Sequence, residues 1–228
     1  MKKRLIFANK VDKMTTNVAL KAHTNQAKKQ VKKIPDYLIR ETLDGQPLYY
    51  KGYRDVLRKH KTIEDIMPCS TLQATIVYYI NRHIIKSPLD DVYYIHTSES
   101  GLHLNHGNNL GGDIVLFDKN VLSPDHVNAK FASVSPQIVF EIDIKIDLEN
   151  MTEYAYIHKK TQKLLDFGVK KVFWITSSTK KIMLAVPNED WRIIDWDKDI
   201  EIEDGVFFNV GKYLEERGID VSVADSNA

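Results

Sequence analysis

A mixed α/β (α+β) domain, with helices flanking a mixed β-sheet, is what this sequence predicts, and three observations carry the prediction. Gln137 to Asp147 alternates apolar and polar residues with the period of two expected of a strand. Met151 to Phe167 places Ile157, Lys160, Thr161, Leu164 and Leu165 on one side of a helix, and Gly168 follows as a natural C-cap. Lys171 to Thr176 is then a second strand. A strand–helix–strand unit of this kind implies a right-handed parallel crossover, and the other strands make the sheet mixed.

The remaining elements follow in chain order. Val18 to Lys33, rich in Ala and Lys, reads as a helix with thin apolar content, ended by Pro35. Within Asp36–Tyr50 the turn signal Asp44-Gly45 separates two short extended runs. Tyr53 to His60 reads as a short basic helix. Ser70 is a suitable N-cap for a helix over Ser70–Ile85, where Leu72, Ile76, Val77, Ile80 and Ile84 recur at helical spacing. Asp91–Thr97 is a strand. Residues 98–112 have the composition of a mobile loop around at most one short strand. Asp113-Ile-Val-Leu-Phe117 is a short apolar strand headed by an acid, and residues 118–136 are a polar connection. Lys181–Val186, Asp190–Trp196 and Asp199–Glu203 follow as short antiparallel strands, and Val210–Arg217 is a closing helix. Trp174, Trp191 and Trp196 read as packing residues.

Composition bounds the class. With 228 residues, 43% hydrophobic and 28% charged, the chain fits one soluble domain with an added arm. No apolar run approaches the ~20 residues that span a bilayer. The apolar part of Met1–Lys10 is too short for a signal peptide, so the expected location is cytoplasmic. A single cysteine, Cys69, excludes an internal disulfide and a cysteine-built zinc site. The net charge of +1 hides an asymmetry. Residues 1–33 hold ten Lys or Arg against Asp12, and the remainder carries the compensating −8. A basic arm on a mildly acidic body suits a polyanionic partner, and equally describes a plain basic terminus. The expected organisation is a basic arm over 1–35, one domain over 36–222 and a loose tail over 223–228.

The chemistry is concentrated on the central strand. Ile138, Phe140, Ile142, Ile144 and Ile146 share one face. Gln137, Val139, Glu141, Asp143, Lys145 and Asp147 share the other. Same-face neighbours lie ~7 Å apart. Two carboxylates at that spacing reach toward a shared divalent cation, and the next lysine meets its anionic ligand. The plainer alternative is a half-exposed strand with solvated charges. His103 and His106 suggest a metal pair or, more simply, surface histidines. Tyr49, Tyr50 and Tyr53, with Lys51 and Arg54, suggest base stacking or rim packing.

Asp113 heading one short strand and Glu141 within the next resemble the PD-(D/E)XK nuclease superfamily, and its Uma-type restriction endonuclease family more closely. Glu41-Thr-Leu-Asp-Gly45 matches that family's Glu-Leu-Ile-Asp-Gly segment. Leu72-Gln73 stands where its His-Gln would be, and Gly112-Asp113 stands for its Pro-Asp. Pro136-Gln-Ile-Val-Phe-Glu141-Ile matches its second acidic strand. Lys160-x-x-x-Leu164-x-x-x-Gly168-Val169-x-x-Val-Phe-Trp174 matches its last motif. The resemblance covers roughly residues 36–205 and implies a restriction-endonuclease-like fold.

It further implies a divalent-metal-dependent endonuclease that hydrolyses phosphodiester bonds of DNA. Asp113 and Glu141 would hold Mg²⁺ or Mn²⁺, joined by Glu41 and Asp143. The family's lysine two residues after the second acid is replaced here by Asp143. Lys160, on the following helix, or Lys145, in a literal Asp-x-Lys, would supply the ammonium. Cutting two strands would favour a homodimer. The displaced lysine also motivates the alternative, a catalytically degenerate nuclease-fold module that binds nucleic acid or protein. The geometric expectation that separates them is specific. Asp113 and Glu141 should meet on adjoining strands, with a lysine ammonium within ~4 Å.

Overall fold

Turn chemistry sets the first hairpin. β1 (Ile39–Leu43) and β2 (Gln46–Tyr49) pair across Asp44 and Gly45, whose φ values of 51° and 74° suit the type I′ turn that matches strand twist. The structure, a computed structural model, describes residues 33–149 and 151–221. The expected basic arm falls outside these residues except for 33–35, and so does the tail from 223 to 228.

α1 (Tyr53–Leu57) and α2 (Thr71–Ile85) follow. The Ser70 hydroxyl accepts from the Gln73 amide at 3.1 Å, as an N-cap should. After α3 (Leu89–Val92) come β3 (Tyr93–Asn105) and β4 (Asn108–Asp118), then β5 (Ile138–Ile142). α4 (Glu153–Phe167) is capped by the Thr152 hydroxyl and closed by Gly168 in a left-handed conformation, φ 116°. β6 (Lys171–Thr176), β7 (Lys181–Ala185) and β8 (Arg192–Asp195) complete the large sheet. β9 (Ile200–Glu203) and β10 (Val206–Phe208) form a separate hairpin before α5 (Val210–Glu215).

The large sheet runs β2-β1-β4-β5-β6-β7-β8, with β3 paired to β4. Among the strand pairs of the described residues, only β5 and β6 are parallel, and they are the pair joined by α4. α2 and α5 pack an apolar core on one face around Ile76, Ile80, Ile84, Phe140 and Phe173. α4 covers the other face over Val115, Val139, Val172 and Trp174. Among the described residues no helix is long and apolar enough to cross a membrane.

Three expectations are corrected. Residues 98–112 are not a loop, because they belong to the long β3–β4 hairpin. Its backbone ladder and the buried Leu102 and Leu110 override a turn-rich composition. The central strand stops at Ile142, because Asp143 adopts φ 56° and breaks the alternation that ran to Asp147. Both faces of β5 are buried, so its polar face is covered rather than solvated.

β4 forks the sheet. One edge pairs with β3 along its length. The other edge is shared, with Thr42 of β1 opposite Asn109 and Phe140 of β5 opposite Ile114. The four residues between, Leu110 to Asp113, lie where β1 and β5 part.

Candidate active site

The fork leaves backbone amides without a ladder partner, and acids take them. Glu41, on β1, accepts from the Gly111 amide at 3.0 Å. Asp113, on β4, accepts from the Ile142 amide at 2.8 Å. Glu141, on β5, falls opposite Asp113 by continuation of the strand register and shares its face. All three carboxylates are buried. Gly111 and Gly112 run past two of them at van der Waals distance. A Cβ at Gly111 would lie 3.7 Å from Glu41 Oε1, and one at Gly112 would lie 3.9 Å from Glu141 Oε1 and 2.5 Å from Val115 Cγ2.

Two lysines reach these acids from opposite directions. Lys160 descends from α4 and is 1% exposed. Its Nζ lies 2.6 Å from Glu41 Oε1 and 2.9 Å from Glu141 Oε1. The contact to Glu141 is an ion pair without hydrogen-bond geometry, so Glu141 Oε1 is a buried oxygen lacking a hydrogen bond. Tyr156, one helical turn before Lys160, donates to Glu41 Oε2 at 2.7 Å. Lys145 arrives from the segment after β5. Its Nζ is 3.2 Å from Asp113 Oδ1 and 3.0 Å from Glu99 Oε1, and Arg40 Nη1 reaches the same Glu99 oxygen at 2.8 Å.

Three cations thus face four acids, and the imbalance shows in proton affinity. Burial, with help from Asp113 and Glu41 and against Lys160, pushes Glu141 up to about 8. Burial also favours a neutral Lys160, but Glu141 and Glu41 outweigh it and raise its pKa, so the ammonium persists. Tyr156 is held well above the ordinary tyrosine range by burial and by Glu41. For Glu99 burial is outweighed by Arg40 and Lys145, and its carboxyl is lowered.

The structure therefore brings together Glu41, Asp113, Glu141, Lys145 and Lys160, and the ~4 Å criterion between ammonium and carboxylate is met at both lysines. It does not bring Asp143 to them. Asp143 turns away at its positive φ and accepts from the Ser177 amide and hydroxyl, each at 2.8 Å. His103 bonds Asn109 at 2.6 Å and His106 sits exposed at the hairpin tip. A cavity of about 390 Å³ lined by His103, Asn109, His126 and Phe131 contains none of the five residues. Among the described residues no three His, Cys, Asp or Glu side chains are grouped as a metal cluster. Tyr49 and Tyr53 stack on each other at 4.8 Å, and Arg54 is tied to Asp147 and Glu149.

Three neighbours escaped the sequence reading: Tyr156, Glu99 and Arg40. Tyr156 had a signal, its spacing of four from Lys160 on one helical face. Glu99 and Arg40 had none, because a β-bulge delivers the first and a pairing across distant strands the second.

No family model and no curated protein matches the chain. Among solved structures it is similar to a crystal structure from Anabaena variabilis described as "a putative nuclease belonging to DUF820". The TM-score is 0.56 at 12% identity, over 77% of this chain and 89% of that one. At that identity the likeness establishes the fold, a restriction-endonuclease-like mixed sheet flanked by helices, and the chemistry rests on the residues.

Proposed function

We propose that the chain is a metal-dependent nuclease that hydrolyses phosphodiester bonds of DNA. One observation carries the reading. Asp113 and Glu141, distant in sequence, share a buried face of adjoining strands, each with a lysine ammonium within 3.2 Å.

The residues fit a hard divalent cation such as Mg²⁺ or Mn²⁺. Glu141 Oε1 is buried and has the Lys160 ammonium, 2.9 Å away, as its neighbouring cation, so a metal ion would share this oxygen with Lys160 or replace it there. Asp113 and Glu141 face each other on adjoining strands, and Mg²⁺ is commonly held by one or two carboxylates with water and phosphate completing its shell. Asp113 and Glu141 would hold it, with Glu41 supporting through Lys160. When bound, such an ion polarises a phosphoryl oxygen and lowers the pKa of water. The chain's own residues supply the rest. Lys145, the more exposed of the two lysines, offsets the negative charge that grows on the phosphorus oxygens in the transition state. Lys160 fixes Glu41 and Glu141 in place, and α4 keeps bulk water from the acids.

A second reading, a non-catalytic module on the same scaffold, is favoured by one observation: the Lys160 ammonium already lies between Glu41 and Glu141. Incubation of plasmid and oligonucleotide DNA with the protein and Mg²⁺ or Mn²⁺ separates the two. The nuclease reading expects cleavage that chelator stops and that Asp113→Asn or Glu141→Gln abolishes in a folded protein. Binding without any cleavage selects the module.

A further inference from the structure

Glu99 is an acid that the proposed chemistry leaves unused, and it is held in an unusual way. β3 departs from its ladder between Thr97 and Ser100. At this bulge two successive non-glycine residues, Ser98 (φ 64°) and Glu99 (φ 60°), take left-handed backbone. Such residues are strained and persist only where their surroundings hold them, and bulges beside functional sites re-aim side chains. What holds Glu99 is a pair of cations. Arg40 Nη1 and Lys145 Nζ both meet Oε1, at 2.8 and 3.0 Å. The side chains of Arg40 and Lys145 are 10% and 16% exposed, and that of Glu99 is 33% exposed, so the acid is the outermost of the three. Lys145 also touches Asp113.

A guanidinium and an ammonium converging on one oxygen is how proteins grip a non-bridging phosphate oxygen. We infer that Arg40 and Lys145 form a phosphate-oxygen site beside Asp113, and that the Glu99 carboxylate occupies it as a stand-in which a phosphodiester of a nucleic-acid strand displaces. Arg40, nearly buried, would lose its ion-pair partner if Glu99 left, so the site exchanges one anion for another rather than standing empty. The bulge supplies the exit. Relaxing Ser98 and Glu99 to extended backbone turns the carboxylate away and releases the strain. The identity of the displacing anion rests on the nuclease reading; the anion site itself does not.

The test measures binding in chelator, so it needs no cleavage. The probes are a 5′-hydroxyl DNA oligonucleotide, which offers only phosphodiesters, and inorganic phosphate. Glu99→Gln removes the competing charge, Glu99→Gly does so with a residue that accepts the positive φ, and Glu149→Gln repeats the charge change at an acid that pairs with a different cation, Arg54. Both Glu99 variants should bind the oligonucleotide roughly tenfold tighter than wild type. Glu149→Gln should gain far less, and adding Lys145→Gln to Glu99→Gln should remove the gain. Unchanged or weaker binding by both Glu99 variants, a gain equalled by Glu149→Gln, or a gain that survives Lys145→Gln overturns the site. A gain for inorganic phosphate alone keeps the site and removes nucleic acid as its ligand. An oligonucleotide gain in a protein that cleaves nothing keeps the site and removes the nuclease reading.

Discussion

The two faces of the central sheet are made by the same strands, and the face under α4 sets buried charged residues among its apolar ones. Toward α2 and α5, β4, β5 and β6 present Ile114, Phe140, Ile142, Phe173 and Ile175. Phe140 and Phe173 stack at 4.6 Å, and Phe208 meets them edge-on at 5.7 and 5.6 Å. Toward α4 the same strands present Asp113, Glu141 and Trp174. The helix answers with Tyr156, Lys160 and Thr161, the last accepting from Trp174 Nε1 at 2.8 Å. The first face stabilises by removing apolar area from water, at roughly 25 cal/mol per Å². The second also buries apolar residues, but around titratable groups whose mutual attraction at best offsets their desolvation. Both faces thus bury apolar area, and the face that is dearer to build holds the groups proposed to be reactive.

Substitutions on each face can break that comparison. The largest effect is expected from Lys160→Met, which leaves Glu41 and Glu141 facing each other without a cation. It should cost about 3–5 kcal/mol in urea unfolding, and adding Glu41→Gln should restore much of the loss. A cost under ~1 kcal/mol would mean that the charged face is not one coupled unit. On the apolar face, Ile80→Ala should cost about 2–5 kcal/mol through a cavity and leave the activity of the folded fraction unchanged.

A third prediction uses pH. The folded-state pKa of Glu141, about 8, exceeds its ordinary value of 4.5. Its contribution to stability is therefore complete below the ordinary value and is lost as pH rises through about 8. Thermal melts of metal-free Glu141→Gln should show a flatter pH dependence across this window than wild type; parallel curves would contradict the assignment. The smallest effect compares the caps. Ser70→Ala on α2 and Thr152→Ala on α4 should each cost about 1 kcal/mol, because an N-cap serves its own helix whichever face that helix covers.

Helices on both faces, and one central strand, were legible from residues alone. α2 and α4 were readable because cap, periodicity and C-terminal glycine are local signals at Ser70, Ile76 to Ile84 and Gly168. β6 was readable to the residue, Lys171–Thr176. On the charged face, Asp113, Glu141 and Lys160 could be picked out because a motif spacing linked them, yet the alternation in β5 suggested solvent where α4 lies. The β3–β4 hairpin was hidden by its Ser, Gly and Asn content, since its order comes from pairing across the chain. Asp143 gave no local mark of where β5 ends, because Asp tolerates the left-handed region as readily as it sits in a strand. Glu99 was invisible for a related reason. A bulge is set by the register of two strands, and no composition or spacing in β3 announces it.

Asp113 and Glu141 are proposed to act together on a hard cation, and Mn²⁺ binding tests this most directly. Electron paramagnetic resonance of the metal-free protein titrated with Mn²⁺ should show a single bound ion per chain. Asp113→Asn and Glu141→Gln should each lose it while melting cooperatively. No bound Mn²⁺ at millimolar concentration, or binding that persists in both variants, would contradict the account.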